Sequence, residues 1–277
     1  MSVGQRIKNG LKRSVKRAAV LAGRFTPAPS ACSRILTYHS VGQRDHEMNV
    51  TPDAFREQMA WLAENCKVVP LAQAAEGREG VAITFDDGYR DNLTEAAPVL
   101  AEFGLPATVF IVTGKLGGML DHDDDPKTGT LMTWDEVRKL EAQGITIGGH
   151  SMTHPRLSQL TEAEQREEIG TCKRRLEDEL GHAIETFAYP YGSALDYTPR
   201  TELIVEESGY ALALSNRYGS VVPGANPWAL RRIWVDRTDT LQTFCAKVRG
   251  KMDGLALLDS GPGIRVRRVL NRLLGTS

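Results

Sequence analysis

The stretch VAITFDDGYR, residues Val81–Arg90, decides how this 277-residue chain can fold. Its first half alternates β-branched or aromatic residues with smaller ones, which is typical of a buried strand. Gly88 ends that strand, so Asp86 and Asp87 come at its carboxyl end, where α/β folds place their chemistry. Because side chains alternate along a strand, the two carboxylates should point in different directions, one toward a metal and one free to act as a base. The alternative is an ordinary turn with acidic residues.

A second stretch, GGHSMTHP at Gly148–Pro155, adds metal-binding residue types. The run Ile145–Gly149 predicts a strand, and His150 and His154 follow it. A proline disfavours helical geometry in the residue before it, so we expect the two histidines on a loop or a single turn. Two imidazoles and one carboxylate form a common three-ligand site for zinc or a similar ion, with positions left open for water and substrate.

Three motifs together resemble a known family. TFDDG at Thr84–Gly88, HSMTH at His150–His154 and FAYPYG at Phe187–Gly192 are similar, in this order, to the motifs of the polysaccharide deacetylases, the NodB-homology enzymes of carbohydrate esterase family four. The resemblance runs from about Ile35 to about Val235. It implies an α/β fold, a distorted and incomplete (β/α) barrel in a single domain. The alternation of strand and helix patterns along the chain also favours a parallel sheet.

The resemblance also assigns roles to residues. It implies a divalent metal, expected to be Zn²⁺, with three ligands, Asp87, His150 and His154. Asp86 would be the general base beside the metal. The backbone N–H of Tyr191, which follows Pro190 in the third motif, matches the family's donor to the oxyanion. Without the resemblance, Pro-Tyr-Gly would indicate only a turn.

The chain departs from the common family pattern at the proton donor. Most members carry a histidine in a late Leu-x-His motif, but no histidine follows His182 here. His39, at the end of the first predicted strand, is the candidate instead. The same arrangement occurs in the subgroup that resembles poly-N-acetylglucosamine deacetylases, where an early histidine supplies the acid. The alternative is a histidine at a strand end that is hydrogen-bonded by backbone.

A second departure lies in the third motif. Many members carry an arginine two residues before the proline, where this chain has Ala188. Arg232 is expected to replace that charge, with Arg231 as its competitor, because strand alternation lets only one of them face the site. Trp228 is a candidate for lining the acyl or sugar pocket, and a core position is an equal alternative.

The two ends of the chain are basic, although the whole is balanced at 34 Lys and Arg against 35 Asp and Glu. Residues Met1–Ala31 contain seven basic residues and no acid, with apolar residues at helical spacing. This pattern favours an amphipathic helix on an anionic membrane, with a solvated tail or a transit peptide as alternatives. The tail Ile264–Leu274 could form a second such helix. Because the net charge of the whole chain is close to zero, its electrostatic field gives no reason to expect binding to nucleic acid.

We therefore divide the chain into a basic segment (residues 1–31), a deacetylase domain (32–252) and a basic tail (253–277). No apolar run approaches the roughly 18 residues of a spanning helix, and no secretory signal is evident. These patterns predict a cytoplasmic protein, peripheral at the inner face of the plasma membrane. The four cysteines lack the close spacing of a metal site and are expected to be free thiols.

The predicted function is metal-dependent hydrolysis of an N-acyl group, expected to be acetyl, from an aminosugar of a polysaccharide or a lipid-linked glycan precursor. One alternative is a deformylase or another carbon–nitrogen amide hydrolase of the same superfamily. Another is a non-catalytic carbohydrate-binding protein on the same fold. Retention of both aspartates and both histidines argues against the last, because binding a carbohydrate does not require a metal site.

Overall fold

The computed structural model describes residues 32–43, 45–121 and 129–259. The predicted amphipathic helices at both ends lie outside the described residues, and the division of the chain into three segments stays a prediction. Most of an acidic run within a long loop after the third barrel strand, Asp121–Asp125, also lies outside the described residues. None of the helices in the described ranges is long and apolar enough to cross a membrane.

The centre of the fold is a closed barrel of parallel strands. Numbered in chain order, the described strands are β1 (Ser33–Tyr38), β2 (Ser40–Val41), β3 (Asn49–Val50), β4 (Gly80–Phe85), β5 (Ala107–Ile111), β6 (Thr146–Gly149), β7 (Thr186–Ala188), β8 (Leu212–Tyr218) and β9 (Leu230–Trp234). Seven of them close the barrel in the order β1-β4-β5-β6-β7-β8-β9, and β2 pairs with β3 separately. A complete (β/α) barrel has eight strands, so the prediction of an incomplete barrel in one domain is confirmed.

Helices connect most of the successive barrel strands, whereas β8 leads to β9 without an α-helix between them. The described α-helices are α1 (Pro52–Asn65), α2 (Leu71–Ala75), α3 (Ala97–Phe103), α4 (Trp134–Ala142), α5 (Glu162–Leu180), α6 (Pro199–Glu207) and α7 (Leu241–Val248). In the sequence, a threonine precedes a glutamate by three residues at Thr133–Glu136 and at Thr161–Glu164, which predicts a capping box at each place. The structure has both, and they begin α4 and α5. Each cap satisfies backbone N–H groups that the first turn leaves without a partner.

Two predicted elements differ from the structure. The sequence predicts a single α-helix from about Asn92 to Phe103 that ends at Gly104, but Asn92–Ala96 is π-helical and α3 begins only at Ala97. Pro98 has no N–H, and its ring would clash with the carbonyl four residues earlier, so the preceding turn widens. The sequence pattern predicts a strand at Tyr210–Leu214, but the observed strand β8 begins at Leu212 and continues to Tyr218. Its pairing with β9 shifts register between Leu214 and Tyr218.

Two glycines let β6 pack closely against its neighbours on both faces. A Cβ on Gly148 would lie 2.5 Å from the ring of Phe110, and one on Gly149 would lie 2.4 Å from the hydroxyl of Tyr210. Both distances are too short for real contacts, so no side chain fits on this strand end. The strand therefore packs by its backbone, and His150 follows directly at the carboxyl edge.

Candidate active site

The residues of the three motifs meet at the carboxyl end of the barrel. His39 directly follows β1, and Asp86 and Asp87 follow β4. His150 follows β6, and Tyr191 comes three residues after β7. Because the strands are parallel, all of these positions lie on one edge of the barrel.

Asp87, His150 and His154 form a cluster suited to a metal ion. The Oδ1 atom of Asp87 lies 3.4 Å from Nε2 of His150 and 3.3 Å from Nε2 of His154. That oxygen is buried and has no hydrogen-bond partner among the described residues. A buried carboxylate oxygen without a partner is costly, and one carboxylate with two imidazoles is a donor set typical of a divalent metal. The residues therefore fit the ion that the motifs imply.

The hydrogen bonding of His150 prepares it as a ligand. Its Nδ1 atom lies 2.7 Å from the carbonyl oxygen of Ala188. A carbonyl only accepts, so Nδ1 carries the proton and Nε2 presents its lone pair toward Asp87. This contact could not be predicted from the sequence, because its acceptor is a backbone carbonyl, which every residue has.

The backbone around the cluster is strained. Four described non-glycine residues have a positive φ: Asp87 (73°), Ser151 (62°), His154 (65°) and Tyr191 (58°). All four lie in the three motifs. A non-glycine residue in this region costs on the order of 1–3 kcal/mol, and such residues cluster at functional sites. The left-handed φ of His154 also confirms that the two histidines lie on a loop and not on a helix.

Asp86 faces a different partner from Asp87. Its two carboxylate oxygens accept hydrogen bonds from Nη1 and Nη2 of Arg232, at 2.7 and 2.6 Å, and both side chains are fully buried. Burial opposes ionisation of Asp86, but the Arg232 guanidinium and the neighbouring histidines outweigh it and hold the pKa of Asp86 below its ordinary value. Arg231 instead donates to the carbonyl of Tyr218. Arg232 is thus the arginine that contacts Asp86.

His39 is a second neighbour of the Asp86 carboxylate. Its Nε2 atom is 4.0 Å from Oδ2 of Asp86, and the residue is only 7% exposed. Among the described residues, no backbone group hydrogen-bonds to its ring, which argues against the structural alternative. Burial lowers the pKa of His39 below its ordinary value, although Asp87 and Asp86 oppose this effect.

The third motif forms the exposed wall of the site. The centroid of the Tyr191 ring lies 4.8 Å from that of His154, and the guanidinium carbon of Arg156 lies 4.0 Å from the same centroid. Asn216 donates to the Tyr191 carbonyl and fixes the turn that Pro190 begins. No acceptor for the N–H of Tyr191 is found in the described part of the chain.

Trp228 is placed differently from the other predicted residues. It precedes β9, whereas the others follow strand ends or, like Arg232, lie within a strand. Its side chain is half-buried and packs against the hydrophobic core, and its carbonyl accepts a hydrogen bond from the Tyr189 hydroxyl. Its role toward a substrate stays a prediction.

Comparison with known proteins agrees with this geometry. The family model described as polysaccharide deacetylase matches residues 73–213, half of the chain. The chain belongs to the polysaccharide deacetylase family. This family comprises hydrolases that act on non-peptide carbon–nitrogen bonds.

Individual relatives cover most of the deacetylase. YxkH of Bacillus subtilis (strain 168) is 28% identical over 210 residues, which span 73% of this chain and 70% of that protein. The poly-β-1,6-N-acetyl-D-glucosamine N-deacetylase of Staphylococcus aureus (strain MRSA252) is 22% identical over 220 residues, 73% of each. The structure of IcaB from Ammonifex degensii is similar with a TM-score of 0.69 at 23% identity, over 82% of this chain and 100% of that one. This last similarity shows the fold.

The Asp86–Arg232 pair yields a prediction. Replacing Arg232 by leucine leaves a buried carboxylate without its cation, so we expect urea denaturation to show a loss of about 3–5 kcal/mol in the free energy of unfolding. The pKa of Asp86 should rise, so the acid limb of the kcat/KM profile should move to higher pH.

Arg232→Lys, which keeps the charge but not the paired N–H groups, should show a smaller shift of the same sign. Arg231→Leu is the matched control and should leave the acid limb in place. An unchanged acid limb in both Arg232 variants would show that the arginine does not act on Asp86.

Proposed function

We propose that this deacetylase removes the acetyl group from the nitrogen of an aminosugar in a glycan, with a bound divalent metal. The observation that carries the proposal is the meeting of Asp87, His150 and His154 next to a separately paired Asp86. A binding protein has no need for a buried, ionised carboxylate beside a metal-ligand cluster, whereas hydrolysis of an amide does.

Asp87, His150 and His154 would hold the ion, and the mixture of two nitrogens and one oxygen suits Zn²⁺. A divalent ion held there lowers the pKa of a bound water and so supplies a nucleophile at neutral pH. Three protein ligands leave the open position that a catalytic site needs. The bond from His150 Nδ1 to the Ala188 carbonyl keeps the required tautomer.

The remaining residues would move protons and stabilise charge. Asp86, ionised by Arg232, accepts a proton as the general base. His39 donates a proton to the departing amine, and its low pKa makes its protonated form a stronger acid. The Tyr191 N–H donates a hydrogen bond to the oxygen that becomes negative when the carbonyl is attacked.

The aminosugar substrate is supported by a relative. The Staphylococcus aureus protein is named for N-deacetylation of poly-β-1,6-N-acetyl-D-glucosamine, and the two chains match over 73% of each. Tyr191 adds support from the structure, since its exposed ring beside His154 offers an apolar face on which a sugar ring can rest. N-acetylglucosamine oligomers are therefore the first substrates to test.

We also propose that the basic ends attach the protein to an anionic membrane at the inner face of the plasma membrane. Arg34, near the start of β1, pairs with Asp253 at 2.8 Å, so the described chain begins and ends close together. This is the amino end of β1, whereas His39 lies at its carboxyl end, roughly 15 Å away at about 3.3 Å per residue. Both basic segments would then reach one surface, with the site facing away from it.

Metal content and acetate release test the proposed function. We expect the wild-type protein to bind one zinc and to release acetate from β-1,6-linked N-acetylglucosamine oligomers. Asp87→Ala and His150→Ala should lose metal and activity together. Asp86→Asn should keep its metal but lose about 10²–10⁴-fold in kcat, because only the base is removed. Normal turnover in Asp86→Asn, or a zinc-loaded protein that never releases acetate, would contradict the proposal.

The proton donor has its own test. An amine leaves poorly unless it is protonated, so His39→Ala should lower kcat for the amide by about 10²–10⁴-fold with normal metal content. An activated acetyl ester, whose leaving group barely needs a proton, should be hydrolysed almost as before. His182→Ala, at an exposed histidine paired with Glu141, is the matched control. If both substrates slow equally in His39→Ala, His39 is not the acid.

Sedimentation with lipid vesicles tests the membrane proposal. We expect binding to anionic vesicles that weakens with salt, since each basic residue near the surface adds about 1 kcal/mol. Deleting Met1–Ala31 should weaken the binding without changing acetate release from short oligomers. Equal sedimentation with neutral and anionic vesicles would rule the proposal out.

A further inference from the structure

The loop that carries His154 is held from several sides. Its residues Ser151 and His154 both have left-handed backbone, a conformation that relaxes unless its surroundings impose it. The Ser151 hydroxyl accepts a hydrogen bond from the N–H of His154 at 3.0 Å. On one flank, the Gly114 N–H donates to the Met152 carbonyl at 2.8 Å. A Cβ on Gly114 would lie 2.6 Å from that carbonyl oxygen, so the close approach needs a glycine.

A single carboxylate, that of Glu168, accepts the hydrogen bonds on the opposite side of the loop. Oε2 of Glu168, on α5, accepts hydrogen bonds from the N–H groups of Met152 at 2.9 Å and of Thr153 at 2.8 Å. Its Oε1 accepts from the Thr153 hydroxyl at 2.7 Å. One side chain thus binds two of the three residues between the two histidines, Met152 and Thr153. Bonds from N–H groups to an ionised carboxylate are about twice as strong as neutral ones.

Glu168 lies on a helix that is packed against the barrel. The helix α5 has 19 residues and a capping box at its start. The next residue, Ile169, is fully buried, and so is Cys172 one turn later. The burial of these two side chains fixes the helix against the barrel. The Glu168 carboxylate therefore has a defined position relative to β6, from which it holds the loop. The sequence offers no signal for this contact, because Glu168 lies in a helix rich in acidic residues.

We propose that Glu168 is a positioning residue for the metal site of the proposed function. Its hydrogen bonds fix Met152 and Thr153, and thereby the left-handed turn that aims His154 at Asp87. The metal then meets a ligand set that is already assembled. Partners that orient metal ligands typically change metal affinity by 10–100-fold when they are removed.

The test compares variants by zinc affinity, measured by competition with a chelator. Glu168→Ala should raise the zinc dissociation constant by about 10–100-fold. Glu168→Gln should restore most of the affinity, because its amide oxygen can accept both N–H groups and its NH₂ can donate to the Thr153 hydroxyl. Glu167→Ala is the matched control, since Glu167 is the neighbouring carboxylate and bonds to Thr171 on the same helix. Its zinc affinity should equal that of the wild type.

Hydrogen exchange of the metal-free protein provides a second readout. In Glu168→Ala the amides of Met152 and Thr153 should exchange faster, while those of α5 stay protected. At saturating zinc the variant should recover most of the wild-type kcat, because the chemistry itself is unchanged. A general loss of stability would instead lower protection throughout the helix.

The outcomes separate the inference from the proposed function. If the wild-type protein binds no zinc, the metal site and the proposal that depends on it both fail. If the wild type binds zinc and Glu168→Ala binds it equally well, only the role of Glu168 is overturned. Should Glu168→Ala fail to fold, the zinc dissociation constant of Thr153→Val tests the inference instead, since this variant removes one of the three hydrogen bonds to Glu168. A dissociation constant several-fold higher supports the inference, and an unchanged one overturns it.

Discussion

The buried ion pair between Asp86 and Arg232 is the interaction on which the site depends. It joins the carboxyl end of β4 to β9, the two strands that flank β1 where the barrel closes. Two charges removed from water are costly, and the two parallel hydrogen bonds offset that cost. Because Arg232 occupies both oxygens of Asp86, the metal cluster is left to Asp87. Two adjacent and chemically identical residues thereby obtain different environments.

The strained backbone is the second constraint. The left-handed residues of the described chain, apart from glycines, lie in the three motifs of the candidate site. Their combined cost must be met by contacts elsewhere, and the structure supplies these from Glu168, Asn216 and the backbone of Gly114. The geometry of the site thus depends on contacts from residues outside the three motifs. A site held in this way would be organised before metal or substrate arrives, which limits the reorganisation needed during reaction.

Much of the fold and of the candidate site could be predicted from the sequence. The alternation in Val81–Phe85 predicts a buried strand, and Gly88 predicts its end. Pro155 indicates a loop for the two histidines, and the structure has that loop. The capping boxes at Thr133 and Thr161 predict where two helices begin. These features could be predicted because each depends on backbone preferences and on residues within one or two turns.

Only the tertiary structure decided which distant groups meet. Strand alternation left Arg231 and Arg232 as competitors, and the register of β9 gives the contact to Arg232, 146 residues from Asp86. The carbonyl of Ala188 beside His150 and the carboxylate of Glu168 beneath Met152 had no signal in the sequence. The widened turn at Asn92–Ala96 also went unpredicted. Local patterns specify the elements, but contacts across the barrel depend on register and closure, which every strand determines together.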